Sequence, residues 1–290
     1  MILGLNVYLI SFLTVRFYLV GNQKENNNIM KRINLFYIIC FALGIGSCLA
    51  MSAKPKNINK GKWRKYNIGE VVFEDKAPES KGSAIYHQII PDAESYIKVQ
   101  ARDVLATLYR SPKDSITPVS RIRYTLEDKD GISAKGGSHG KVSIFYSTRH
   151  IEKSFARRDT AKLLFETRGV LLHELTHAFQ LEPQGIGSYG TNRVFWAFIE
   201  GMADAVRVAN GGFGPNGRPK RGNYMDGYRY AGYFFVWIRD NKDPEFLRKF
   251  NRSTLEVIPW SFDEAIKHIL GKKYSIDGLW NEYQIAVGDI

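Results

Sequence analysis

Cysteine is almost missing from this chain: 290 residues contain two, Cys40 and Cys48, both inside an N-terminal apolar stretch. The rest of the sequence can build no disulfide framework and offers no thiolate to a metal. Any metal there must be held by histidine and carboxylate. Also absent are a dense Lys/Arg block and any nucleic-acid-binding motif, although the formal net charge is +12. The basic charge is dispersed, so it argues for solubility and against a nucleic-acid partner, and it is compatible with acidic or cell-wall-associated peptides. No internal repeat or low-complexity tract is present. With 44% apolar residues, the chain can bury one sizeable core, or a core plus a small subdomain.

The N-terminus reads as a targeting segment. Met30-Lys31-Arg32 supplies a short basic end, and Ile33 to Leu43 an apolar stretch too short for a comfortable membrane span. Small residues follow. Ile45-Gly46-Ser47-Cys48 has the form of a bacterial lipobox, with Cys48 as the lipidated residue; plain cleavage near Cys48-Leu49-Ala50 is the alternative. Residues 1–29, interrupted by Arg16, fit neither scheme, which makes Met30 the expected start. The expected organisation is thus an extension plus signal or lipoprotein segment over 1–48, a basic polar linker over 49–67, and a folded domain over 68–290. Membrane attachment is expected only through the N-terminus, and the location is secreted or cell-envelope.

Within the domain, Val71-Val72-Phe73 reads as a strand, and Pro91-Asp92 opens a helix with apolar residues at Ile97, Ala101, Val104, Leu105 and Leu108. Alternation predicts a strand at Ile122, Tyr124 and Leu126, and another runs from Val142 to Tyr146. Gly136 to Gly140 reads as a flexible loop. Helices follow over Leu163–Leu181, Asn192–Ala209 and Tyr228–Arg239, with later ones capped by Asp243, Ser261 and Asp277. Strands first and helices after define an α+β class: a small N-terminal mixed sheet with the motif-bearing helix, then a mainly helical part.

The motif is His173-Glu174-Leu175-Thr176-His177. On a helix, residues four apart lie one above the other, so both imidazoles reach one ion, as zinc requires. Glu174 is placed to hydrogen-bond a water on that ion. The flanks Gly169 to Leu172 and Ala178-Phe179 are apolar, and two buried imidazoles with a carboxylate are costly there without a metal. A third histidine six residues after His177 is excluded, because that position is Pro183. Glu200 lies on an otherwise apolar helical face and is the candidate third ligand. Asp204, one turn on, is placed to accept the free N–H of a ligand histidine. Two alternatives remain open: Glu200 could cap a loop, and Asp204 could pair with Arg207.

Gly169 to Gln180, with Ile199-Glu200-Gly201-Met202-Ala203-Asp204-Ala205-Val206-Arg207, resembles the plant basic secretory protein family, the peptidases of plants and bacteria. The resemblance runs through Phe73 to Pro78, the Ile90–Tyr109 helix, Leu126–Gly131, Gly227-Tyr228 and Trp280 to Tyr283. It implies a zincin-like fold, zinc on His173, His177 and Glu200, and Glu174 as general base. Phe179 replaces the Trp common in plant members. The function it implies is hydrolysis of peptide bonds by a zinc-activated water. Tyr228 is the candidate donor to the developing oxyanion, with Tyr224, Tyr230 and Tyr233 as rivals. The substrate is expected along Val142–Tyr146, flanked by His139 and His150. A non-catalytic surface-binding protein and an amidase acting on cell-wall peptides are the competing readings.

Overall fold

The structure, a computed structural model, describes residues 60–155 and 159–290, and Asn57–Ile290 form one compact unit. The signal segment, Cys48 and the first part of the expected linker lie outside the described residues. The end of that linker is built into the fold. A short helix α1 (Lys60–Trp63) carries Trp63, which is 0% exposed and packs against Tyr66 and Tyr109.

Four strands form one mixed sheet in the order β1-β2-β4-β3: β1 (Glu70–Asp75), β2 (Arg121–Glu127), β3 (Ser133–Ser138) and β4 (Lys141–Ser147). β1 and β2 are parallel, as are β2 and β4, while β3 runs antiparallel to β4 at the edge. The register aligns Ile122 with Val142, Tyr124 with Ile144 and Leu126 with Tyr146, all buried on one face. On the other face Arg121, Arg123 and Ser143 stay exposed. Two helices bridge β1 to β2, which parallel pairing requires. These are α2 (Lys81–Ile89), capped by Ser80, and α3 (Ala93–Leu108), capped by Asp92.

Apolar spacing does not reveal α2 or α4 (Thr148–Ser154), because at nine and seven residues both are too short for a periodicity to establish itself. The glycine-rich stretch at 136–140 reads as a loop by composition. Gly136 and Gly137 are instead the second half of β3, and only His139-Gly140 turns. Both turn residues have left-handed φ, 51° and 73°, as a tight two-residue hairpin needs. Glycine hides strand propensity, and an edge strand needs little of it.

The helical part follows. α5 (Thr160–Phe179) starts on the Asp159 cap, and α6 (Arg193–Ala209) on Asn192, whose side chain accepts from the Val194 and Phe195 N–H groups. α6 is buried almost continuously from Phe195 to Arg207, and α5 is buried mainly in its second half, from Gly169 to Phe179. α5 packs on α3, α6 and β3, and α6 packs on α7 (Tyr228–Asn241). The α6–α7 crossing is made close by glycine: a Cβ on Gly201 would meet Ala231 at 2.6 Å, and one on Gly232 would meet Asp204 at 2.8 Å. α8 (Phe246–Glu256), α9 (Phe262–Leu270) and α10 (Ile276–Ala286) complete the chain. Ser261 caps α9 as expected. α10 is capped by Ser275 instead of Asp277, which bonds Tyr224, and α8 begins after Glu245 instead of at Asp243. An aromatic cluster of Phe198, Phe235, Phe250, Trp260 and Phe262 holds these helices under α6. The fold is therefore mixed α+β, with a small four-stranded sheet and ten α-helices among the described residues.

Candidate active site

His173 and His177 occupy successive turns of α5, and Glu200 faces them from the middle of α6. The His173 and His177 Nε2 atoms are 3.1 Å apart, and Glu200 Oε2 lies 3.3 Å from the first and 3.7 Å from the second. These three donors form the one group of at least three His, Cys, Asp or Glu residues placed to hold a metal ion among the described residues. A tetrahedral ion with bonds of about 2.1 Å holds its donors about 3.4 Å apart, so the separations fit such an ion. Glu200 Oε2 is buried and makes no well-formed hydrogen bond, its nearest polar neighbours being the two imidazole Nε2 atoms. A buried carboxylate oxygen without a well-formed hydrogen bond is costly, and a cation between it and the two rings would offset that cost.

Each ligand is also held from behind. Asp204 Oδ1 accepts from His173 Nδ1 at 2.7 Å, so Asp204 reaches the histidine, while Arg207 pairs with Glu166 at 3.1 Å. The Tyr189 hydroxyl donates to Glu200 Oε1 at 2.6 Å, so that Oε2 is the oxygen turned toward the two imidazoles. Gln180 meets His177 Nδ1 at 3.0 Å. Tyr189 and Gln180 were not singled out from sequence. Gln180 had a readable signal, since it follows His177 by three residues on the same helical face. Tyr189 sits in a loop between glycines, where no periodicity points to it.

Burial disfavours charge on both rings, but on His173 the bonds to Asp204 and Glu200 outweigh it and push the pKa up to about 10. His177, buried beside that cation, is pushed down to about 3. Burial alone would raise the Glu200 carboxyl, yet the two histidines and Tyr189 hold it below the usual range. Glu174 behaves in the opposite way: burial raises its pKa, and His173, Ser133 and the Lys135 backbone N–H only partly offset this. A buried carboxyl moved toward neutrality suits a proton carrier.

The site opens into a cleft of about 850 Å³ lined on one side by Ile132 and by Ser133 to Lys135 of β3, and on the other by Tyr189, Tyr228 and Arg229. Tyr228 stacks over His173 with ring centroids 6.0 Å apart, braced edge-on by Trp196 at 5.4 Å, and is 45% exposed. Its backbone φ of 41°, after Gly227 at 63°, is a conformation few non-glycine residues adopt, and it begins α7 there. Of its rivals, Tyr224 bonds Asp277 and Tyr233 bonds Gly214 O, while Tyr230 lines the cleft.

The expected substrate strand is corrected. Val142–Tyr146 belongs to β4, which is paired on both sides by β2 and β3 and has no free edge. The strand beside the site is β3, with Ser133 and Lys135 on the face toward α5 because they stand opposite Tyr146 and Ile144. His139 sits in the hairpin turn bonded to Ser138, and His150 bonds Glu166 at 3.3 Å. Neither lines the cleft. His87 and His268, unassigned from sequence, bond Asp75 and Glu256.

Comparison with curated proteins and with solved structures found no match. The sequence profile of a family described as "Peptidase of plants and bacteria" matches residues 69–283, which spans β1 to α10 and every residue of the site. This chain belongs to that family of peptidases, the basic secretory proteins.

Proposed function

We propose that the protein is a zinc-dependent peptidase of zincin-like architecture, with His173, His177 and Glu200 holding the metal and Glu174 as general base. The observation that supports it most is the buried Glu200 Oε2, without a well-formed hydrogen bond and facing two imidazole nitrogens one turn apart. Two imidazoles and a carboxylate, with no thiolate, are a zinc donor set that leaves a fourth position open. When bound, zinc acidifies a water and polarises the scissile carbonyl. Glu174 takes the proton from the attacking water and delivers it to the leaving amine. The Tyr228 hydroxyl donates a hydrogen bond to the developing oxyanion. An extended peptide lies along the free edge of β3, where backbone pairing orients it without dictating its sequence. Secretion, or anchoring at Cys48, puts this activity outside the cytoplasm.

The test compares wild type with Glu174→Gln on casein and on peptidoglycan, with zinc quantified in both proteins. Zinc in both, with cleavage by wild type alone, is the expected result. Zinc in both without cleavage by either supports a binding protein, and cleavage of peptidoglycan alone supports the cell-wall amidase. Wild type without zinc sinks the reading. For the wild-type enzyme, the acid limb of kcat/KM should fall above the ordinary glutamate value of about 4.3, because burial raises Glu174.

A further inference from the structure

Gln180 terminates α5 and is 5% exposed. Three groups fix the chain around it. Tyr109 donates its hydroxyl proton to Phe179 O at 2.5 Å, Thr117 Oγ1 donates to Gln180 O at 3.4 Å, and Leu181 N donates to the buried Asn251 side chain at 2.9 Å. The backbone of Gln180 is therefore set by contacts that have nothing to do with its side chain. That side chain turns back toward the motif, with its amide nitrogen 3.0 Å from His177 Nδ1. The amide oxygen Oε1 is buried with no donor in reach.

An imidazole that offers Nε2 to a metal carries its proton on Nδ1, so the group facing Nδ1 must accept. An amide can do this through its oxygen alone. Half a turn about the last side-chain bond exchanges Oε1 and Nε2 in the same volume. It gives the orphaned oxygen a donor and the ring the tautomer it needs. The other two ligands already have such partners, Asp204 behind His173 and Tyr189 behind Glu200.

We propose that Gln180 is the positioning residue of the second histidine: its carbonyl oxygen accepts the His177 Nδ1 proton and keeps the Nε2 lone pair aimed at Glu200 and His173. The assignment rests on the zinc reading for its consequence, and on the amide–imidazole contact for its geometry. A glutamate at this position keeps the acceptor, whereas a leucine keeps the volume and loses it.

Two measurements test it. Zinc dissociation constants of wild type, Gln180→Leu and Gln180→Glu are obtained by competition with a chromophoric chelator. The imidazole tautomer of His177 in the metal-free wild type is read by long-range ¹H–¹⁵N correlation. Gln180→Leu should weaken zinc binding by about 10–100-fold, with Gln180→Glu restoring it, and the His177 proton should sit on Nδ1. A leucine variant that binds zinc as wild type does, or a wild-type proton on Nε2, overturns the proposal. If wild type binds no zinc, the metal reading falls, and the tautomer still decides what Gln180 does. Should the leucine variant not fold, the glutamate variant and the tautomer decide it.

Discussion

Glu200 and Asp204 are one helical turn apart on α6, yet they touch different parts of the same site. One oxygen of Glu200 faces the two imidazoles and the other accepts from Tyr189, while Asp204 accepts from His173 on the far side of its ring. Asp204→Ala should therefore leave all three ligands in place and weaken zinc by about 10–100-fold, measured by chelator competition. The helical spacing of His173, His177, Glu200 and Asp204 made these residues legible, because their partners share a face or an adjacent turn. Tyr189 was not, because a loop position has no period from which to infer direction. Away from the site, Glu166 is held below the usual carboxylate range by its hydrogen bond to His150, against its burial and with help from Arg207. A depressed folded pKa contributes stability that is present above the unfolded value of about 4.3 and is lost as pH falls through the folded one. Glu166→Gln should flatten that acid loss of stability in thermal melts taken between neutral and acid pH.

At the scale of elements, the α6–α7 crossing constrains the site through backbone packed against Asp204. Gly232 lies against Asp204 itself, so Gly232→Ala forces either the helices apart or Asp204 away from His173. Overpacking of this kind costs about 1–3 kcal/mol, and it should lower both the melting temperature and zinc affinity. The same substitution on an exposed helix would instead be mildly stabilising, so the sign of the change identifies the crossing as the cause. The long helices were readable because apolar spacing and caps agree over many residues, as in α3 and α6. The strand β3 was not, because two of its residues are glycine and its alternation is not one of apolar with polar side chains. Its place in the sheet comes from pairing with β4, a long-range fact that local composition does not carry.

For the molecule as a whole, Trp63 sets where the fold begins. Its full burial against Tyr66 and Tyr109 makes residues 60–67 part of the domain, and Trp63→Ala should destabilise it by about 3–5 kcal/mol in denaturant unfolding. Composition alone marks that stretch as linker, because four of its eight residues are Lys or Arg. Zinc at 100 times its dissociation constant should stabilise the folded state by about 2.7 kcal/mol, and chelation should remove that increment from the melting temperature.

The ligands and their supports, from His173 to Asp204, all belong to α5, α6 and the connection between them. The cleft beside Glu174 is shared: Tyr189 comes from that same connection, whereas Ser133 and Lys135 come from the sheet and Tyr228 from α7. On the proposed zinc reading, substitutions in β3 or at the start of α7 would therefore change how a peptide is met, and the pH response of Glu174, while leaving the three residues offered to the ion untouched.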